Sequence, residues 1–471
     1  MSLDERLAAV GQQRLAATLA RLTGAEEARL RDQVEALDLD LVGNLVGDLV
    51  EEGAPPQLGR IEPLAPEDVI PIPRTEADRE RAREAAAAGA DALRNGRVAA
   101  VLLAGGQGTR LGFDGPKGAF PFAPITRTTL FAHHAAKIAA VRERYGATIP
   151  WYILTSPQND GETRAFFAEH GHFGLDPASV RFVVQGTLPA VDRESGAILL
   201  DAPDRLSLSP DGHGGLLSAL RASGALDEME AAGATTIFTF QVDNPLLPVC
   251  RPDVIGHHVR AEADMSSMAV RKLAPEERMG VIARVGGRTG VVEYSDVPDE
   301  LAAQRDADGE LAYWAGSIAV HCIEVAFVRE LTEGGLRLPY HRALKRVPHV
   351  DADGRPVDPD EPNAVKFETF LFDALPSARR SVTVEARRED TFSPIKNADG
   401  ADSPATARRD LNRLHARWLE AAGARPPRDA GGEPVDLEID PRYALDAEEL
   451  ARRLPAGTVI DAPAVLAAPQ G

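Results

Sequence analysis

The chain has 471 residues, 44% hydrophobic and 26% charged, with a formal net charge of −20. That length exceeds one ordinary core and predicts one large domain with smaller appendages, or two to three domains. The acidic balance argues against binding a nucleic acid backbone, which needs basic surface, and no apolar run reaches the roughly 18 to 20 residues that span a bilayer, so neither nucleic acid nor membrane is an expected partner.

Between residue 4 and about residue 50, Leu7, Val10, Leu15, Leu19, Leu22, Leu30, Val34 and Leu37 recur at helical spacing and predict two or three amphipathic helices, a packing appendage. The N-terminal string MSLDERLAAVGQQRLAATLARL carries acidic residues early and no apolar stretch ending in a small-residue cleavage site, so a cytoplasmic protein is expected. Pro55, Pro56, Pro63, Pro66, Pro71 and Pro73 then predict an extended strap or linker, because proline removes a backbone donor and breaks helices. Thr75 is placed to cap a helix that runs to a stop at Asn95-Gly96.

From Val98 the pattern changes to short apolar runs separated by helical stretches: VAAVLLA (98–104), WYILTS (151–156), VRFVV (180–184) and TTIFTFQV (235–242). This alternation predicts an α/β domain with a mainly parallel sheet, which binds ligands at the carboxyl ends of its strands. After about residue 385 an Arg- and Ala-rich stretch with Pro426-Pro427 and Gly431-Gly432 predicts a small C-terminal domain. The expected division is therefore 1–75, 76–385 and 386–471. Cys250 and Cys322 are too few for a disulfide framework and have no zinc spacing, so both are expected to be reduced and structural.

The chemistry concentrates in LLAGGQGTRLGFDGPKG (102–118), which follows the first of these strands. Gly105, Gly106 and Gly108 let a ligand approach the backbone and can form an anion-binding concavity. Arg110 and Lys117 add charge for phosphates, one as a flat fork and one as a mobile point charge. The third glycine of a dinucleotide fingerprint and the GK[ST] of a Walker loop are both absent; a structural turn with two incidental cations is the plain alternative.

Further along, Gln185 offers a donor and an acceptor side by side, able to match the imide edge of uracil or simply to hold its own loop. Asp243 ends the strand TTIFTFQV and is either a turn-capping residue or an oxygen ligand suited to Mg²⁺. Lys366 in VKFETF and Lys396 in FSPIKN sit in apolar strings where a nearby phosphate would justify burying them, the alternative being side chains that snorkel to water. His133, His134, His257 and His258 have no Ser, Cys or metal partner at useful spacing and read as surface or packing residues.

The string GGQGTRLG…PKG resembles the signature of the UDP-sugar pyrophosphorylases, and within that group the eukaryotic-type UDP-N-acetylhexosamine pyrophosphorylases. The likeness continues in order through QGTLPAV, PDGHGG, VDN, EYS, AGSIAVH, LPYH, VKFETFLFD, FSPIKNADG and DSPATAR, over about residues 98 to 410. It implies a Rossmann-like, GT-A-like nucleotidyltransferase domain with a mixed, mainly parallel sheet. It also implies a uridylyltransferase that forms UDP-sugar and pyrophosphate from UTP and a sugar 1-phosphate, using Mg²⁺, which Mn²⁺ can replace. In the terms of that resemblance, Arg110, Lys117 and Lys396 are the catalytic cations and Asp243 is the metal ligand. UTP is held by the turn Leu103, Ala104, Gly105 and Gly106, by Gln185 and Gly212 at the base, and by Gln241 and Lys366. The sugar is met by His213, Glu293, Tyr294 and Ser317.

Two positions depart from the N-acetylhexosamine pattern, which has Asn where this chain has His213 and Ser317. At His213 the string resembles the GHG of UDP-glucose pyrophosphorylases instead, and sites that hydrogen-bond one substituent reject analogues lacking it. The acceptor is therefore open between N-acetylglucosamine 1-phosphate and glucose 1-phosphate. A catalytically silent UDP-sugar sensor and a nucleotidyltransferase with another acceptor are the alternatives; the sequence sets no oligomeric state.

Overall fold

The computed structural model describes residues 1–51, 59–455 and 457–467. The chain forms two compact units. The smaller combines Met1–Gly59, Gln185–Ala219 and Gly334–Asp373; the larger combines Arg60–Val184, Leu220–Glu333 and Ala374–Gly471. This division differs from the expected one because the smaller unit is assembled from three separated segments.

In the larger unit, eleven strands form one sheet among the described residues. Its main path runs Val69–Ile70, Ser381–Glu385, Met265–Arg271, Ala315–Glu324, Thr236–Gln241, Val98–Leu103, Trp151–Thr155 and Val180–Val184. Only Ala315–Glu324 on this path runs antiparallel to its neighbours, so the sheet is mixed and mainly parallel, as expected. All residues of Val98–Leu103 and Trp151–Thr155 are buried, which explains why these strands are continuous apolar runs: helices cover both faces of a parallel sheet. Trp151, Phe131, Phe167, Phe238 and Phe240 fill the core around them. Burial of such a side chain contributes roughly 1.5–3 kcal/mol each.

The helix Glu76–Arg94 begins where expected, with Thr75 and Asp78 forming a reciprocal capping box. The proline strap is less of a linker than its composition predicts. Ile61–Glu62 pairs with Val281–Val285, and Val69–Ile70 pairs with Ser381–Glu385, so its second half is sheet edge, where proline is tolerated. Pro55 and Pro56 lie outside the described residues. The C-terminal segment has a small cluster of its own around Leu419, Leu437, Ile439 and Leu450, but Ala407, Leu411 and Leu414 belong to the main core. The Glu438 carboxylate also accepts the backbone N–H groups of Ile125 and Thr126, so this tail is part of the larger unit.

In the smaller unit the described residues form four α-helices near the N-terminus, Leu3–Ala9, Gln13–Leu19, Gly24–Glu35 and Leu39–Val46, where two or three were expected. Their apolar faces share a core with Val191, Leu206 and Phe367. Buried Gln12 donates to Gly196 O at 2.9 Å and accepts Ile198 N–H at 2.8 Å, which ties the helices to the strands. These strands are Tyr340–Lys345, Ala364–Thr369 and Val191–Asp192 in one antiparallel sheet, with Thr187–Pro189 and Leu208–Pro210 in another. Among the described residues no helix is long and apolar enough to cross a membrane.

Candidate active site

The strands Val98–Leu103 and Thr236–Gln241 lie side by side and parallel, with Leu103 opposite Gln241. From the first strand the chain moves outward to Trp151–Thr155 and Val180–Val184, and it later returns on the other side. Two neighbouring strands whose connections depart in opposite directions leave a crevice at their carboxyl ends, the usual ligand position in such sheets. Both sequence motifs emerge there.

The glycine loop is closed by its own backbone. Gly108 N–H donates to Gly115 O at 2.9 Å, and Lys117 N–H donates to Gly106 O at 3.1 Å. Gly106 is exposed, and a Cβ built on it would meet nothing within 4 Å, so that turn has room for a ligand. Asn159, fully buried, donates from Nδ2 to Ala104 O at 2.9 Å and to Gly106 O at 3.3 Å. This anchor was missed in the sequence because a lone Asn after a strand carries no periodic signal. Arg110 is exposed on the same loop.

Lys117 Nζ lies 3.0 Å from Asp243 Oδ2, with 17% and 15% of the two side chains exposed. Residues 126 apart in sequence are thus brought together by the strand pairing beneath them. The Asp243 carbonyl accepts Ile395 N–H at 2.8 Å, which draws the Lys396 segment to the same turn. Lys396 itself is 41% exposed and lies 3.8 Å from Asp402, so of burial and snorkelling its side chain takes the second. Of the four histidines expected to be surface or packing residues, three are buried. His134 Nε2 donates to Val242 O at 3.0 Å, His133 Nε2 donates to Pro245 O at 3.1 Å, and both rings are buried. His258 is buried between Ser266 and Glu324, while His257 is half-buried.

Glu293 and Ser317 approach each other through Gly280. Ser317 N–H donates to Gly280 O at 2.8 Å, and a Cβ built on Gly280 would stand 3.6 Å from Glu293 Oε1. Ser317 lies where the register with Met265–Arg271 shifts between Ser267 and Ala269, and Ala319 has φ +53°. A bulge with a strained non-glycine residue costs about 1–3 kcal/mol and persists where it re-aims a side chain. Tyr294, beside Glu293, is exposed.

The smaller unit holds the remaining candidates. Buried Gln185 donates from Nε2 to Asp211 Oδ1 and to Gly212 O, each at 3.3 Å. Gly212 has φ +85°, and a Cβ there would lie 2.3 Å from Thr369 O, so no other residue fits. His213 Nδ1 accepts Leu371 N–H at 3.0 Å, which leaves Nε2 as the N–H donor of a neutral ring; burial pushes this His down to about 4. Its ring stacks on Phe370, 5.4 Å between centroids. Lys366, on Ala364–Thr369, is half-buried, and burial lowers its affinity for a proton.

Asp211 is wedged so tightly that a Cβ on Gly186 or Gly215 would lie 2.6 or 2.0 Å from its carboxylate oxygens. Burial pushes this carboxyl up to about 6 from 3.8, against the lowering effect of Gln185. With the folded value raised, the protonated form stabilises the fold below about pH 4, and that contribution is lost as pH rises through about 6. A rise from 3.8 to about 6 is worth on the order of 3 kcal/mol. Asp211→Asn is therefore expected to raise the thermal midpoint at pH 8 and to leave it nearly unchanged at pH 4. Equal effects at the two pH values would remove the carboxyl's charge as the cause.

The UTP–glucose-1-phosphate uridylyltransferase family model matches residues 52–413. The human UDP-N-acetylhexosamine pyrophosphorylase-like protein 1 is 38% identical over 94% of this chain and 93% of its own length. The UDP-N-acetylglucosamine diphosphorylase 2 of Arabidopsis thaliana is 33% identical, covering 95% and 90%. Among solved structures, the uridine diphosphate N-acetylglucosamine pyrophosphorylase from Trypanosoma brucei, in complex with inhibitor, superposes with a TM-score of 0.83 at 28% identity, covering 100% of this chain and 99% of that one. With the strand arrangement and the loop chemistry in agreement, the chain belongs to the UTP–glucose-1-phosphate uridylyltransferase family.

Proposed function

We propose that this protein is a uridylyltransferase that joins UTP to N-acetylglucosamine 1-phosphate, forming the UDP-sugar and releasing pyrophosphate. The observation that carries the reading is the Lys117–Asp243 pair at the carboxyl ends of two neighbouring parallel strands, in a chain of this family. The relatives named for N-acetylhexosamine or N-acetylglucosamine, at 38% and 33% identity, favour that acceptor over glucose 1-phosphate. The reading includes a cytoplasmic location, where both substrates would be dissolved.

The attacking 1-phosphate oxygen is already anionic at neutral pH, since the second pKa of such an ester is about 6, so no general base is needed. What the protein must do is hold two anions that repel each other in line and meet the charge that shifts to the departing pyrophosphate. Lys117 and Arg110 serve the leaving group, and Lys396 serves the reacting phosphates. Gln185 reads the uracil edge, with Gly212 leaving room for the base; Lys366 and Gln241 add UTP contacts, and the Leu103–Gly106 turn offers its backbone to the nucleotide. Glu293, Tyr294, Ser317 and the Nε2–H of His213 meet the sugar.

Mg²⁺, or Mn²⁺ in its place, fits Asp243. No cluster of three His, Cys, Asp or Glu side chains able to hold a metal occurs among the described residues, and Mg²⁺ needs only one or two protein carboxylates beside phosphate oxygens and water. When bound it supplies positive charge to the phosphates.

Pyrophosphate release should be measured with UTP, Mg²⁺ and the 1-phosphates of glucose, galactose, N-acetylglucosamine and N-acetylgalactosamine. N-acetylglucosamine 1-phosphate is expected to exceed glucose 1-phosphate by about tenfold or more in kcat/KM, as sites that bond a substituent discriminate against its absence. A preference for glucose 1-phosphate would overturn the acceptor, and silence across the panel with UDP-sugar still bound would make the protein a sensor.

A further inference from the structure

Irregular backbone near the centre of a protein must find partners for its carbonyl groups, or it pays in stability or in disorder. Between Val242 and Leu247 the carbonyls of Val242, Asp243, Pro245 and Leu247 are met by side chains or distant backbone. Val242 O accepts from His134, Asp243 O from Ile395 N–H, and Asn244 O from Leu247 N–H. Pro245 O accepts from both His133 and Lys137, and Leu247 O accepts from Lys137 Nζ at 2.8 Å. His133, His134 and Lys137 all lie on the helix Leu130–Tyr145, at positions i, i+1 and i+4.

Lys137 is the unusual member. Its residue is 8% exposed, its Nζ reaches only carbonyl oxygens, and no carboxylate pairs with it among the described residues. A buried amine without an acid is expensive, and a methionine of similar volume would pack the same space without that cost. Against that, methionine would leave Leu247 O without its donor and Pro245 O with His133 alone, so the two effects on stability oppose each other and stability alone does not select a lysine here. What the lysine supplies is two bonds to the loop that carries Asp243.

We propose that Lys137 is a positioning residue for the reaction: with His133 and His134 it clamps the segment 242–247 and so fixes the Asp243 carboxylate beside Lys117. The inference rests on the proposed uridylyltransferase reading, in which Asp243 and Lys117 act on the phosphates. A displacement of about 1 Å in such a group can cost about 10²-fold in rate. The clamp therefore matters to turnover although Lys137 touches no substrate.

The test compares the full-length wild type with Lys137→Met and Lys137→Gln. Three readouts are needed: thermal unfolding, kcat and KM for pyrophosphate release, and amide hydrogen exchange of a peptide covering residues 242–249 without ligands. For Lys137→Met the expected result is an unfolding midpoint close to wild type, because relief of the buried amine offsets the donor lost to Pro245 O and Leu247 O, a kcat reduced about tenfold or more with KM for UTP little changed, and exchange faster by about tenfold in that peptide alone. Lys137→Gln, which keeps an amide N–H donor group on a shorter side chain, should fall between the two. Unchanged exchange in the 242–249 peptide, or faster exchange with unchanged kcat, would overturn the proposal. If Lys137→Met does not fold, the glutamine variant decides on the same readouts, and failure of both to fold would make Lys137 a stability residue instead. A wild type that releases no pyrophosphate would refute the reading beneath the proposal, while the exchange data would still report on the clamp.

Discussion

Lys117→Ala is expected to lower kcat for pyrophosphate release by about 10²-fold or more, the usual consequence of removing one preorganised charge from a developing anion. The position is prepared by its surroundings. Lys117 opens the short turn Lys117–Ala119, its backbone is pinned to Gly106, and the next residue, Gly118, lies so close to the Phe131 ring that a Cβ would come within 2.2 Å of it. The side chain therefore leaves a rigid base and needs little reorganisation when charge moves. Its removal should also cost some stability, because it leaves the Asp243 carboxylate, only 15% exposed, without its partner, so the rate must be read on protein shown to be folded. Two roles for Lys117 can be separated in the same assay. If it only neutralises Asp243, raising Mg²⁺ should restore the alanine variant; if it meets the leaving pyrophosphate, excess Mg²⁺ should not, and that is the expected outcome. A variant that keeps more than half the wild-type rate would take Lys117 out of the mechanism.

How much of this could be read beforehand follows from the range of each interaction. The strands Val98–Leu103 and Trp151–Thr155 were legible because strands buried on both faces must be apolar throughout. The helix start at Thr75 was legible because a cap and its Asp78 partner are three residues apart. The glycine loop and the strand-end Asp243 were legible as separate motifs, but their meeting at 3.0 Å depends on a pairing of strands well over a hundred residues apart. The same limit hid the smaller unit, whose N-terminal helices share a core with residues near 190, 206 and 367. Lys137, His133 and His134 were invisible for another reason. Their spacing is that of any helix face, and only the loop opposite reveals that three polar side chains point into the core. For Lys396 the flanking apolar residues left burial and snorkelling both open, and its side chain takes the second course, toward water and Asp402.

The second large effect concerns stability and turns on two glycines that no motif marks. Gly89 lies in the helix Glu76–Arg94 and Gly256 in the helix Pro252–Arg260. A Cβ on Gly89 would stand 1.8 Å from Pro252 O, and one on Gly256 would stand 1.7 Å from Ala85 O. The obstructing atoms are backbone carbonyls, which cannot rotate away as a side chain can, so the helices would have to separate. In an open helix, Gly→Ala stabilises by up to about 1 kcal/mol. Here the sign should reverse: Gly89→Ala and Gly256→Ala are each expected to destabilise by about 3 kcal/mol or more, above the usual overpacking range. Gly161 in the helix Asp160–Glu169 supplies the control, since a Cβ there would meet nothing within 4 Å and Gly161→Ala should be neutral or stabilising. The double variant Gly89→Ala with Gly256→Ala should cost less than the sum of its parts, because helices already forced apart by one methyl group make room for the other. Denaturant unfolding of the four variants decides the matter: a Gly89→Ala protein as stable as Gly161→Ala would show that the two helices can part at no cost, and the close crossing would then have no bearing on why this fold needs glycine at both positions.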